Sequence, residues 1–215
     1  MERFITCIAH NSSECNLIIG SEAAALFDCG MLFCADSTID MVKKNLNGRH
    51  LDYIIASHTH YDHIGALPFF REAWSEMKLI TSQPGAAVLL KDTPRRVIRE
   101  LSHTAALLHG INQEFVYDDS VFTADSTVSQ DDSISLGDIT VKILETPGHT
   151  RDSLSFFIPE LELLILNETL GVLLPGGEMY PCYLTSCRDA INSIEKCRAI
   201  PHKYLCLPHK TRTSK

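Results

Sequence analysis

Residues 51–63, LDYIIASHTHYDH, run from a continuous apolar stretch straight into three histidines and an aspartate, and a segment of helical character follows. This order restricts the fold. In open α/β sheets, side chains that bind ligands gather at the carboxyl ends of strands, where a loop can aim several of them at one centre. His58 and His60, two positions apart, share a side wherever the chain is extended. Asp62 falls near the N-terminus of the following helix, whose dipole favours an anion, and His63 is adjacent to it. A lone histidine is more often a hydrogen-bonded surface or core residue. Three within six positions crowd imidazoles together, a cost that a metal ion removes by accepting their nitrogens.

The rest of the chain reads as a layered α/β architecture, with short apolar runs alternating with helical patterns. CNLIIG, AALFDCG and LDYIIAS are expected strands, with a turn at Gly30. The stretch STIDMVKKNLNG is an expected helix, capped by a Ser or Thr and ended by Gly48. GALPFFREAW reads as a helix, KLIT as a short strand, and a further helix starts near Pro84. Residues 92–110 carry apolar positions at helical spacing, with Pro94 near the start and Gly110 past the end, and read as a helical insertion. Residues 122–138, rich in Ser, Asp and Thr, suit a loop. The strand DITVKILETPG, the strand pair SLSFFIP and LELLILNE, the helix CRDAINSIEKCRAI and a last strand KYLCLP complete the order.

At 215 residues with 45% apolar content, the chain is expected to form one domain, residues 1–215, that folds without covalent staples. Its net charge of -8 argues against nucleic acid, which demands clustered Lys and Arg. No basic segment with a long apolar run opens the chain, and no stretch approaches the roughly eighteen apolar residues of a membrane span. A cytoplasmic location with no membrane association is the expectation. The eight cysteines form no CxxC pair and no spacing typical of structural zinc, and several lie inside apolar runs. Buried free thiols in a reducing or anaerobic compartment are expected.

The segment His58-Thr59-His60-Tyr61-Asp62-His63 resembles the signature of the metallo-β-lactamase superfamily, and later segments extend the likeness. Thr146-Pro147-Gly148-His149-Thr150 resembles the family's TPGHT turn. The strand LELLILNETLG ends at Glu168, where the family usually places a bridging aspartate, and Leu207-Pro208-His209 resembles its last ligand turn. The resemblance runs from the CNLIIG strand to His209 and implies an αββα sandwich with the site at one edge of two sheets. It implies that His58, His60 and His149 hold one divalent metal ion and that Asp62, His63 and His209 hold a second. Glu168 would bridge the two. Zinc leads among the candidate metals, with iron or manganese as alternatives.

By the same resemblance the activity is hydrolysis of an ester, thioester or amide-like bond in a small metabolite by metal-bound hydroxide. Asp62 and Glu168 are the catalytic carboxylates, and the ligand set is similar to that of glyoxalase II. An iron-dependent redox enzyme is the second class, although oxygen-reducing diiron members usually carry a glutamate in place of His60. A metal-containing binding or regulatory module with little turnover is the third. Glu168 has one methylene more than the usual aspartate, which leaves open a bridging role, a single metal or a base. The sequence also continues only six residues beyond His209, where many members run into a further helix.

Among the remaining polar residues, Asp36 and Asp152 are candidates to orient a ligand histidine, with helix capping as the plainer role. Tyr61 is expected to pack. His103 and His109 fall on the inserted helix, where lining a substrate and facing solvent are equally open, and His10, His50 and His202 are expected at solvated element ends. The inserted helix itself is a candidate lid over the cleft or a candidate contact between copies in a homodimer.

Overall fold

The computed structural model describes residues 3–9, 13–174, 176–209 and 211–214. Two six-stranded sheets form its centre. The first contains β1 (Phe4–Ala9), β2 (Ser13–Ile19), β3 (Ala24–Phe27), β4 (Tyr53–Ile55), β5 (Lys78–Ser82) and β6 (Ser126–Val128), side by side in that order. The chain then builds β7 (Ser133–Ser135), β8 (Thr140–Glu145), β9 (Leu154–Ile158) and β10 (Leu163–Ile165). A small hairpin follows, β11 (Val172–Leu173) and β12 (Met179–Tyr180), and then β13 (Tyr204–Leu207) and β14 (Thr211–Ser214). The second sheet has the order β14-β13-β10-β9-β8-β7.

Side-chain alternation explains why two sheets stack and each takes helices on its outer face. Along the first sheet, Ile18, Phe27, Ile55 and Ile80 point inward and meet Ile143, Phe156 and Ile165 of the second sheet. Their neighbours Leu17, Leu26, Ile54 and Leu79 point outward into a separate core. That core is closed by α1 (Ala35–Leu46), α2 (Tyr61–Ile64), α3 (Leu67–Ala73), α4 (Gln83–Leu89) and α5 (Asp92–Leu108). On the second sheet Leu144 and Leu164 face outward and pack with Cys197 of α6 (Cys187–Arg198). The layers are therefore α, β, β, α, as the family resemblance implies.

Several boundaries differ from the sequence expectation for identifiable reasons. The first helix starts at Ala35, not at a capping Ser or Thr. A 3-10 turn at Leu32–Cys34 leads directly into it, and Thr38 donates back to the Cys34 carbonyl instead of capping. The helix ends as expected at its Asn47-Gly48 corner, where both residues have positive φ. The helix read over GALPFFREAW is α3, and a separate one-turn helix, α2, precedes it, beginning at Tyr61 within the histidine motif itself. The region read as a loop, 122–138, contains β6 and β7, which take their registers from β5 and β8.

The inserted helix α5 is as long as expected, and Gly110 lies behind it at φ +76. Its buried residues Ile98, Ser102, Ala105 and Ala106 face the body of the protein, so it backs α2 from outside. None of the eight cysteines is in a disulfide. Six are buried, Cys182 is intermediate and Cys187 is exposed. Among the described residues no helix is long and apolar enough to cross a membrane.

Candidate metal centre

Strand β4 ends at Ile55, and the next eight residues carry four of the seven candidate side chains. His60 has extended backbone (φ -72, ψ 151) and is the last residue before α2, so Asp62 and His63 sit in that helix's only turn. The chain thus switches from period two to a helical step within the motif, which directs His58 and His60 to one centre and Asp62 and His63 to another. His149 is delivered by the turn between β8 and β9. Gly148 lies there at φ +144, and a Cβ on it would come within 2.6 Å of Ala190 in α6. Only glycine fits this approach. Glu168 lies in the 3-10 turn after β10 and His209 follows β13, the latter in the left-handed region at φ 58.

These seven residues form two groups. The candidate ligand atoms of His58, His60 and His149 lie within 4.8 Å of one another, as do those of Asp62, His63, Glu168 and His209. Glu168 connects the groups with its two oxygens. Its Oε1 is 2.9 Å from His63 Nε2 and 2.6 Å from His209 Nε2. Its Oε2 is 3.8 Å from both His58 Nε2 and His149 Nε2. His149 Nε2 and His60 Nδ1 are 3.1 Å apart, and Asp62 Oδ2 stands 3.8 Å from the Nε2 atoms of His63 and His209.

Electrostatics separates the two groups. Burial holds the pKa of His58 well below that of an ordinary histidine, and its histidine neighbours push the same way. Burial followed by His149 also lowers His60. His58 and His60 are thus neutral imidazoles with lone pairs to offer. Burial also opposes charge on His63, but Glu168, Asp28 and Asp62 outweigh it and raise the pKa well above the ordinary value. Glu168 is the counterpart. Burial would raise its pKa, yet His63, His58 and His209 hold it well below the usual carboxylate range.

The donor set fits a cation by an independent criterion. His58 Nε2 and Glu168 Oε2 are both buried and neither has a hydrogen-bond partner. Buried polar atoms rarely stay unpaired. An imidazole lone pair and a carboxylate oxygen facing each other at 3.8 Å repel unless something positive lies between them. Nitrogen and oxygen donors of this kind suit zinc, iron or manganese.

The residues behind the two groups show what the sequence reading missed. Asp28, at the end of β3 with φ 59, accepts from His63 Nδ1 at 2.8 Å and from the backbone N–H and hydroxyl of Ser57 at 2.7 and 2.9 Å. It fixes the His63 ring so that Nε2 faces Glu168. The available signal is the aspartate within AALFDCG, a segment read only as a strand. Asp152 is buried, and its Oδ2 accepts from the Thr59 backbone N–H at 2.9 Å, so it anchors the loop between His58 and His60 and does not orient an imidazole. Asp36 is exposed in the first turn of α1, away from that role. His149 Nδ1 donates to the Cys182 carbonyl.

Tyr61 packs into the small cluster of Phe33, Ala105 and Ala106, consistent with burial. His109 stacks near Phe33 and His103 near Phe115, outside both groups. His50 and His202 are exposed, and His10 lies outside the described residues.

Comparison with known proteins places the chain in a family. The model of the metallo-beta-lactamase superfamily matches residues 11–209. The chain belongs to the metallo-beta-lactamase superfamily. Hydroxyacylglutathione hydrolase of Bartonella henselae is 28% identical over 155 residues, which is 72% of this chain and 47% of that protein. Rubredoxin-oxygen oxidoreductase of Megalodesulfovibrio gigas is 26% identical over 175 residues, 76% of this chain and 35% of that protein. A solved archaeal superfamily protein from Sulfolobus tokodaii superposes with a TM-score of 0.73 at 18% identity, covering 97% of this chain and 80% of that one. This last likeness concerns the fold. The chain spans about half the length of the first curated relatives it matches.

Proposed function

We propose that this superfamily member is a metal-dependent hydrolase acting on an ester, thioester or amide-like bond of a small molecule. The observation that carries the reading is the division of one carboxylate, Glu168, between two groups of imidazoles. In this reading His58, His60 and His149 hold one divalent ion, and Asp62, His63 and His209 hold the other. Zinc is the first candidate, and iron or manganese are alternatives. Two adjacent ions supply Lewis acidity for a carbonyl oxygen and lower the pKa of a water towards neutrality.

The chain's own residues divide the remaining work. The Glu168 side chain is 3% exposed with an oxygen committed to each side, which suits it to holding the two halves at fixed separation. The Asp62 side chain, 18% exposed, is the more open carboxylate and is placed to hold a proton from an attacking water. Asp28 and the Cys182 carbonyl hold the rings of His63 and His149 in orientation.

A substrate with an apolar acyl or aryl portion suits the surroundings. The segment that leaves Glu168, forms the small hairpin and reaches Leu184 exposes Met179, Tyr180, Tyr183 and Leu184. Its end is tied to the site, since the Leu184 N–H donates to the His149 carbonyl. The hydroxyacylglutathione hydrolase likeness supports a thioester among the candidate bonds, and the rubredoxin-oxygen oxidoreductase likeness is the observation that favours an iron redox enzyme as second reading.

The test is hydrolysis of generic ester and thioester substrates by protein loaded in turn with zinc, manganese or ferrous iron, together with His60→Ala. Metal-dependent turnover that falls by at least about a hundredfold in the variant, with an unchanged circular dichroism spectrum, is expected. Full activity with unchanged metal content in His60→Ala overturns the site. Absence of turnover with every metal favours a binding module, and oxygen consumption by the iron form favours the redox reading.

A further inference from the structure

Four buried polar side chains that belong to neither ligand group lead up to the Glu168 turn. Thr146, Ser155, Asn167 and Thr169 are between 0% and 5% exposed, where hydroxyls and amides are stable only when paired. They pair with one another. Thr169 Oγ1 donates to Asn167 Oδ1 at 2.6 Å, Ser155 Oγ stands 3.3 Å from Thr169 Oγ1, and Thr146 Oγ1 stands 2.9 Å from Ser155 Oγ. A hydroxyl has one proton to give. With that of Thr169 committed, all three contacts are made only if Ser155 donates to Thr169 and Thr146 donates to Ser155. The row ends on the Asn167 amide, which donates to the Leu154 carbonyl at 3.0 Å.

This row joins three segments that carry candidate ligands. Asn167 and Thr169 flank Glu168 in its 3-10 turn, and Thr146 begins the turn that delivers His149. Leu154, the first residue of β9, takes the Asn167 amide on its carbonyl and gives its own N–H to the Ser57 carbonyl at 2.7 Å, in the peptide bond that leads into His58. Leu154 and Ser155 are therefore a common anchor for His58, His149 and Glu168. The same three residues meet at Glu168 Oε2, which stands 3.8 Å from His58 Nε2 and 3.8 Å from His149 Nε2.

Glu168 needs such an anchor more than an aspartate would. Its additional methylene adds a torsion between the backbone and the carboxylate, so its two oxygens have definite positions only if the turn beneath them is fixed. The Gly171 N–H closes that turn on the Glu168 carbonyl at 2.8 Å, and the side chains of Asn167 and Thr169 tie it to β9.

We propose that Asn167 and Thr169 are positioning residues for the metal centre: through Leu154 and Ser155 they hold the Glu168 turn at the distance from His58 and His149 that lets one carboxylate serve both groups. The inference rests on the reading of the seven ligands as a metal centre.

The experiment measures the dissociation constants of both ions by chelator competition, and the electron paramagnetic resonance spectrum of the manganese-loaded protein, for wild type, Thr169→Val, Thr169→Ser, Ser155→Ala and Thr38→Val. Thr169→Val removes the hydroxyl at nearly constant shape, and Thr169→Ser keeps it. Thr38, a buried threonine of α1 whose hydroxyl donates to the Cys34 carbonyl at 3.0 Å, reports what the same change costs outside the centre. Thr169→Val is expected to raise both dissociation constants at least about tenfold and to weaken the magnetic coupling between the two manganese ions. Its melting temperature without metal is expected to fall no further than that of Thr38→Val. Thr169→Ser and Thr38→Val are expected to keep wild-type affinities. Ser155→Ala is expected to show the loss seen in Thr169→Val, and it carries the test should Thr169→Val fold poorly. A wild-type protein that binds no metal overturns the metal-centre reading and this inference with it. A wild-type protein that binds two ions, with affinities and coupling unchanged in Thr169→Val and Ser155→Ala, overturns this inference alone. So does a loss in Thr169→Val that Thr38→Val or Thr169→Ser shares.

Discussion

Asp28 accepts the Nδ1 proton of His63 at 2.8 Å, and the opposite nitrogen of the same ring faces Glu168 at 2.9 Å. The imidazole is thus held between two carboxylates that follow different strands, β3 and β10. This fixes both its tautomer and its direction, which is how a residue without a place in the ligand set governs affinity for an ion.

Asp28→Asn keeps the shape and weakens the acceptor, because an amide is neutral. Metal affinity in the group of Asp62, His63 and His209 is expected to fall by about tenfold to a hundredfold. The affinity of the His58, His60 and His149 group changes little. Competition with a chromophoric chelator measures both steps, and two unchanged binding constants would remove Asp28 from this role.

Protons should distinguish the two groups as metal binds. His58 and His60 have lowered pKa values and are already neutral near pH 7, whereas His63, raised by Glu168, Asp28 and Asp62, carries a proton that an ion must displace. Loading at neutral pH is expected to release about one proton per chain, from the second group. Affinity of that group therefore weakens as pH falls. Calorimetry in two buffers of different ionisation enthalpy counts the proton, and a count of zero contradicts the assignment.

The buried thiols make a separate prediction. Burial pushes Cys7 and Cys197 up to about 11 and Cys206 to about 12, against 9.0 for the unperturbed thiol. At alkaline pH the unfolded chain releases these protons first. Their contribution to stability is whole below pH 9 and is lost as pH rises through the folded values. The urea midpoint should fall between pH 9 and 11, and alkylation of the folded protein near pH 8 should label Cys187 ahead of the six buried cysteines. Prompt labelling of Cys7 or Cys206 would contradict this.

Much of this was legible in the sequence because it is written locally. The histidine motif follows a buried strand within a few residues, and the turn at Gly148 carries its constraint in its own backbone. What stayed hidden depends on partners distant in the chain. β6 and β7 are three residues each with little apolar pattern, and become strands because β5 and β8 offer them hydrogen bonds. β1 pairs with β2 over its whole length, so its extended form comes from that partner as much as from its own alternation. Asp28 and His63 are 35 positions apart, and nothing near either residue announces the other. Asp152, which seemed placed to orient His149 by adjacency, turns to the Thr59 backbone 93 positions away.

The central claim is that Glu168 joins two metal-holding groups, and elemental analysis of metal per chain tests it most directly. Wild-type protein, purified without added metal and then reconstituted, is expected to hold about two ions per chain, and Glu168→Ala is expected to lose affinity for both together. A wild-type chain that binds no metal after reconstitution, or a Glu168→Ala variant that retains two ions at undiminished affinity, would contradict the account.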